Sequence, residues 1–169
     1  MPTCAGLKVK AKWLRLMRGK RVRGAPLRKT AEVRRYRPWE RTPRGQRPVE
    51  VGERLFLLCG GEVWGSARLA DVTEYGDMAA FRAAEAEHCV TQDTCRGPEV
   101  QDIVQALERG RHVYGWQLAD FRWFEPARRP RSGTDGVPEF KGQGHGWVWS
   151  DQRLPTALED AAAAGAPAP

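Results

Sequence analysis

The chain has 169 residues, 41% of them hydrophobic and 29% charged, with a net charge of +7 and a pI near 9.6. That length and balance predict one globular domain able to build a core without disulfide staples, and they exclude a wholly disordered chain. No run of about 18 apolar residues exists to span a membrane, and the N-terminus lacks the apolar stretch of a secretory signal.

The charge is unevenly spread. Residues 1–50 hold sixteen Lys/Arg and three Glu, a balance of +13, whereas the other 119 hold twelve Lys/Arg and eighteen Asp/Glu, a balance of −6. Such polarity suits an anionic partner, nucleic acid above all, or else a solvated basic arm with no specific ligand.

In chain order, residues 1–6 are expected to form a loose terminus. Lys8-Val9-Lys10 alternates like a short strand, and Trp13, Leu14, Leu16 and Met17 then recur at helix spacing before Gly19. This segment reads as part of the fold, which argues against an acid-free mitochondrial leader. After a basic loop over 19–28, residues 30–34 (TAEVR) alternate with period 2. Thr30, Glu32 and Arg34 share one face, and Ala31 and Val33 share the other. Glu32 is the first acidic residue of the chain and lies within its most basic stretch. A proline-rich loop follows, with Trp39 in it.

RLFLLC at 54–59 suits a buried strand closed by Gly60-Gly61. EVWGSARLADV at 62–72 suits a second strand, in which Gly65 marks a bulge or a close backbone approach. Asp77 caps an expected helix over 78–87. Pro98 opens another that stops at Gly110. HVYGWQLADFRWF at 112–124 alternates Tyr114, Trp116 and Leu118, residues of a core strand. Residues 128–144 read as a long surface loop, and 146–150 as a short strand carrying Trp147 and Trp149. An Ala/Pro-rich tail over 152–169 is expected to be disordered.

The four cysteines, Cys4, Cys59, Cys89 and Cys95, are unevenly placed and are expected as reduced thiols of the cytoplasm or nucleus. His88, Cys89 and Cys95 fit no common zinc spacing, so no metal or other cofactor is expected. Short strands with two or three helices point to an α+β, barrel-like module.

The order of the segments resembles the ASCH family, a branch of the PUA-like superfamily of small β-barrels. LKVKAKWLRLMRGK, with Lys10 and Trp13, is similar to the family's first strand and helix. Its Gly-x-Lys-x-x-Glu-x-Arg signature is matched by Lys29, Glu32 and Arg34, with Leu27 at the glycine position and about eight residues inserted after Gly19-Lys20. VEVGERLFLLCG, EVWGSARLADV, HVYGWQLADFRWFEP and GQGHGWVWSD follow in the family's order, so that the resemblance covers about residues 7–151. It implies a PUA-like mixed β-barrel of about five to six strands and two to three helices, with a groove beside the signature strand that binds RNA, other nucleic acid or modified nucleosides.

On that resemblance, Lys29, Thr30, Glu32 and Arg34 line the groove, Lys20 and Arg35 contact phosphate, and Trp39 stacks on an unpaired base. Glu32 accepts N–H groups from a base edge, or it is simply salt-bridged to Arg34 or a neighbouring lysine. Some relatives hydrolyse acylated cytidine with a Lys-activated Thr. Lys29 matches that Lys, but the nucleophile's position is Glu32, Thr30 is not at that position, and the segment expected to supply a catalytic Glu offers Gln92 and Asp93. Ribonuclease chemistry would use Lys29 and Glu32 as acid and base, with Arg34 steadying the phosphorane and His88 or His145 as further bases; His112 is expected to be packed. A protein-interaction adaptor in transcription or RNA metabolism is the third class.

Overall fold

The computed structural model describes residues 4–19, 28–40, 48–91, 98–128 and 147–150. In chain order these form β1 (Cys4–Lys8), α1 (Ala11–Met17), β2 (Ala31–Arg34), β3 (Arg54–Cys59) and β4 (Glu62–Tyr75). Then come α2 (Met78–Ala83), α3 (Glu85–His88), α4 (Pro98–Glu108), β5 (Val113–Arg128) and β6 (Trp147–Ser150). Lys20, His145, Gln92, Asp93, Cys95, the loop beyond Arg128 and the tail over 152–169 lie outside the described residues.

All six strands join one sheet in the order β2-β5-β4-β3-β1-β6, which curls into a half-barrel. Only β1 and β3 run parallel; the other neighbours are antiparallel. The α+β class expected from the sequence is therefore the observed one, with one curled mixed sheet. The inner face carries Leu7, Leu55, Leu57, Ala67, Leu69, Trp116 and Leu118. Helix α1 adds Trp13, Leu14, Leu16 and Met17 to this core.

The β3–β4 hairpin turns on Gly60-Gly61, with φ of 59° and 76° between the paired Cys59 and Glu62. Two successive positive φ values are what a two-residue turn matching strand twist requires. The register then slips at Leu57/Leu58 and again between Val63 and Gly65. Gly65 lies so close to β5 that a Cβ there would stand 2.1 Å from the Arg122 carbonyl oxygen. The close backbone approach expected of Gly65 is thus present.

Several expectations are corrected. Cys4, Ala5 and Gly6, read as a loose terminus, belong to β1, because β3 on one side and β6 on the other satisfy their backbone groups. Val9 and Lys10 lie past that strand's end, and Arg128 closes β5 instead of opening a loop. The single helix expected over 78–87 is two, giving four helices rather than two or three. Phe81 and His88 stack with ring centroids 4.2 Å apart. In a continuous helix, seven residues would separate them by about 10.5 Å along the axis, so the chain breaks at Ala84 (φ −98°, ψ 13°) and doubles back.

Asp77 caps α2 as expected, its Oδ1 accepting the Ala80 N–H at 2.8 Å. Asp77→Ala is expected to lower unfolding free energy by about 1 kcal/mol, read from the shift of the urea midpoint at unchanged m-value.

Candidate ligand-binding seam between strands β2 and β1

Strand β2 is an edge of the sheet, and β1 lies four places along in the strand order. Yet Arg34 of β2 donates from Nη2 to the Lys8 carbonyl at 2.6 Å. The sheet has therefore curled until its β2 edge faces β1, and a guanidinium bridges where no strand pairing does. Glu32 lies at this seam. It opposes the fully buried Trp116 across the β2–β5 pair, on the core side of the sheet.

The Glu32 carboxylate is held between two cations. Arg34 Nη2 is 3.1 Å from Oε1, and Lys29 Nζ is 3.5 Å from Oε2. Only 8% of the Glu32 side chain is exposed. Oε2 makes no hydrogen bond among the described residues beyond that long ion-pair contact, and Arg34 Nε is likewise buried without a hydrogen-bond partner. An acceptor and a donor, both unsatisfied, thus lie in one buried ion cluster.

Lys29 is 1% exposed and engaged on three sides. Its ammonium donates to the His88 carbonyl at 2.7 Å, faces Glu32, and stands 4.5 Å from the centre of the Trp13 ring. The backbone around it is pinned as firmly. Lys29 N–H donates to Leu16, Thr30 N–H to Glu87, and the Thr30 carbonyl accepts from Leu118. Burial lowers the Lys29 pKa below its ordinary value, and the Glu32 charge offsets this only in part. Held by the His88 carbonyl, the Glu32 charge and the Trp13 ring, Lys29 positions Glu32 and joins α1, β2 and α3.

His88 is also a structural residue. It is fully buried; Nδ1 accepts the Val90 N–H at 2.9 Å, so Nε2 carries the proton and donates to the Phe81 carbonyl at 2.8 Å. Burial lowers its pKa, as does the nearby Lys29 charge, and the neutral ring has neither nitrogen left for a reacting group. Next to it, Cys89 adopts φ 56°, and burial raises its thiol pKa despite Lys29. Cys59 and Cys89 are free thiols, and no group of three potential metal ligands occurs among the described residues.

The other expected site residues divide between exposed and buried positions. Arg35 is exposed and Thr30 half-buried. Trp39 is 44% exposed. Trp116 is a core residue whose indole N–H donates to the Tyr36 carbonyl at 3.0 Å. His112 is about half exposed rather than packed, because the Glu74 carboxylate, itself paired with Arg37, holds the imidazole at the end of β5. Sequence reasoning placed Trp13 in a helix core but missed its contact with Lys29. The Lys10–Trp13 step was the only signal for it.

No protein-family model matches the sequence, and no curated protein does. Solved structures are similar in shape. The crystal structure of ASCH from Zymomonas mobilis superposes with a TM-score of 0.55 at 14% identity, covering 92% of this chain and 93% of that one. A Tyr-to-Phe variant of the same protein gives 0.56 at 12% identity, over 92% of this chain and 96% of that one. A Ser-to-Ala variant gives 0.53 at 13%, over 92% and 94%. No helix among the described residues is long and apolar enough to cross a membrane. The curled sheet and these superpositions together give the chain an ASCH-like fold.

Proposed function

We propose that the chain binds RNA or a nucleoside-containing ligand at the β2–β1 seam, with Glu32 and Arg34 reading a base edge. The supporting observation is the carboxylate itself, whose Oε2 is buried with no hydrogen bond. Leaving a buried acceptor unsatisfied costs about 1–3 kcal/mol. A base amino or imino N–H directed at Oε2 recovers that cost, so the free protein carries its affinity as an unmet hydrogen bond. Arg34 Nε offers the complementary donor. The +13 balance of residues 1–50 supplies phosphate neutralisation, and among the exposed residues of this stretch Trp39 is suited to stacking and Arg35 to phosphate contact. Lys20 is a further phosphate contact in this reading.

Binding is favoured over hydrolysis because Lys29 and His88, two of the groups that would move a proton at the seam, are buried and engaged. Lys29 is 1% exposed and donates to the His88 carbonyl, and both His88 nitrogens are bonded to backbone. An adaptor role would use the basic surface without Glu32.

The test is anisotropy of a labelled single-stranded RNA with wild type and Glu32→Gln. The isosteric amide keeps the volume, removes the charge and points an N–H where the ligand's donor must go. A hydrogen bond to a charged group is worth about 1.5–3 kcal/mol, so affinity is expected to fall about tenfold to 150-fold. Equal affinity in the two proteins would refute the reading. RNA cleavage by wild type that Glu32→Gln abolishes would replace it with a ribonuclease.

A further inference from the structure

The sheet face turned away from the core carries a second cationic cluster that the Glu32 seam does not use. Arg54 of β3 lies directly opposite Arg68 of β4, and Ser66, two residues before Arg68, lies opposite Arg122 of β5. Residues opposed across a strand pair, or two apart along a strand, share a face. Arg54, Arg68 and Arg122 therefore leave the same face around Ser66, whereas Leu55 and Ala67 between them point to the core.

Like charges placed opposite each other repel, and the Asp120 carboxylate is bonded to Arg68. Asp120 sits where the β4–β5 register slips between Ser66 and Arg68, with φ of 50°. That bulge turns its carboxylate to accept from Arg68 Nε at 2.7 Å and its carbonyl to accept from Arg54 Nη1 at 3.0 Å. The same Arg54 nitrogen donates to Ser66 Oγ, also at 3.0 Å, and Ser66 is fully buried. One side of the Arg54 fork is thus fixed. Its Nε and Nη2, and both Nη groups of Arg68, make no hydrogen bond among the described residues. Arg68 is 42% exposed. The Arg54 pKa lies below its ordinary value, first from burial and then from the Arg122 charge, with Asp120 offsetting only part.

We infer that this face is a second anion site, fitted to a phosphate group gripped by the Arg54 and Arg68 forks. Guanidinium forks match the paired oxygens of phosphate, and a fork already held by Ser66 and Asp120 loses little freedom on binding. The phosphate belongs to a polynucleotide backbone or to a free phosphate ester, and the chemistry is the same for both. The inference does not depend on the Glu32 reading, since the two sites lie on opposite sheet faces.

The test follows arginine Nε–H resonances of the full-length chain during titration with inorganic phosphate, and repeats the titration with Arg68→Gln. In parallel, labelled oligouridylate is bound over a salt series. Phosphate is expected to shift the Arg54 and Arg68 resonances, and Arg68→Gln to weaken that binding about tenfold or more, with Arg68→Lys recovering part. A salt slope reduced by about one in Arg68→Gln identifies a polynucleotide phosphate. An unchanged slope with phosphate binding intact in wild type identifies a free ester. Glu32→Gln should leave the phosphate titration unaltered, so either site can fail without the other. Resonances that move with neither titrant, or an Arg68→Gln variant that binds both as tightly as wild type, would overturn the inference.

Discussion

Gly65→Ala is expected to be the most damaging single substitution in the sheet. The added methyl carbon would stand 2.1 Å from the Arg122 carbonyl oxygen and 3.0 Å from the Trp123 Cα, and both are backbone atoms of β5. A side-chain end could swing aside, but a paired strand cannot. β5 is bonded to β4 on one side and β2 on the other, so moving it disturbs the strand that carries Glu32. Overpacking a core costs about 1–3 kcal/mol and sometimes more, and a backbone collision between the two longest strands belongs at the upper end. Gly61→Ala is the control. Nothing lies within 4 Å of its Cβ position, and its φ of 76° leaves only a conformational penalty, about 1–2 kcal/mol for a residue with a side chain. Urea titrations of the two variants should therefore differ, with Gly65→Ala giving the lower midpoint. Equal midpoints would mean that β4 and β5 do not approach as closely as they do here.

The legible parts of the fold were those written in local chemistry. Gly60-Gly61 marks its hairpin, Pro98 and Gly110 bound α4, and alternation of Tyr114, Trp116 and Leu118 marks β5. Strand β1 begins earlier than the Lys8–Lys10 expected for it, because Cys-Ala-Gly-Leu-Lys carries little periodic signal and gains its order from partners about fifty and a hundred and forty residues away. The break at Ala84 was hidden for a similar reason, since only the stacking of Phe81 on His88 requires it. At the seam, the spacing of Lys29, Glu32 and Arg34 brought the three charges together on the page. The contacts that define their roles did not show, because the His88 carbonyl is 59 residues from Lys29 and the Lys8 carbonyl 26 from Arg34. The Arg54–Arg68 juxtaposition depends wholly on strand register, which no local pattern specifies.

Lys29→Met is expected to lower stability by about 3–5 kcal/mol, the usual cost of removing one partner from a buried ion pair. The methionine fills much the same space, so the loss is electrostatic. The His88 carbonyl loses its donor, and Glu32 is left with Arg34 alone. A lysine in solvent on a basic arm would cost almost nothing to replace, so the measurement separates a positioning residue from a ligand contact. The losses from Lys29→Met and Glu32→Leu should not add in the double variant, as expected of two residues in one buried ion cluster. The pH dependence gives an independent check. Because burial holds the folded-state pKa of Lys29 below 10.5, the unfolded chain binds more protons between the two values. The contribution of this group to stability therefore rises with pH across that window and is level below it. Wild type and Lys29→Met should accordingly diverge as alkaline pH is approached, with the upward trend confined to wild type. Parallel stability curves would mean that the ammonium is no more costly to hold in the fold than in water, and that Glu32 is positioned by Arg34 without it.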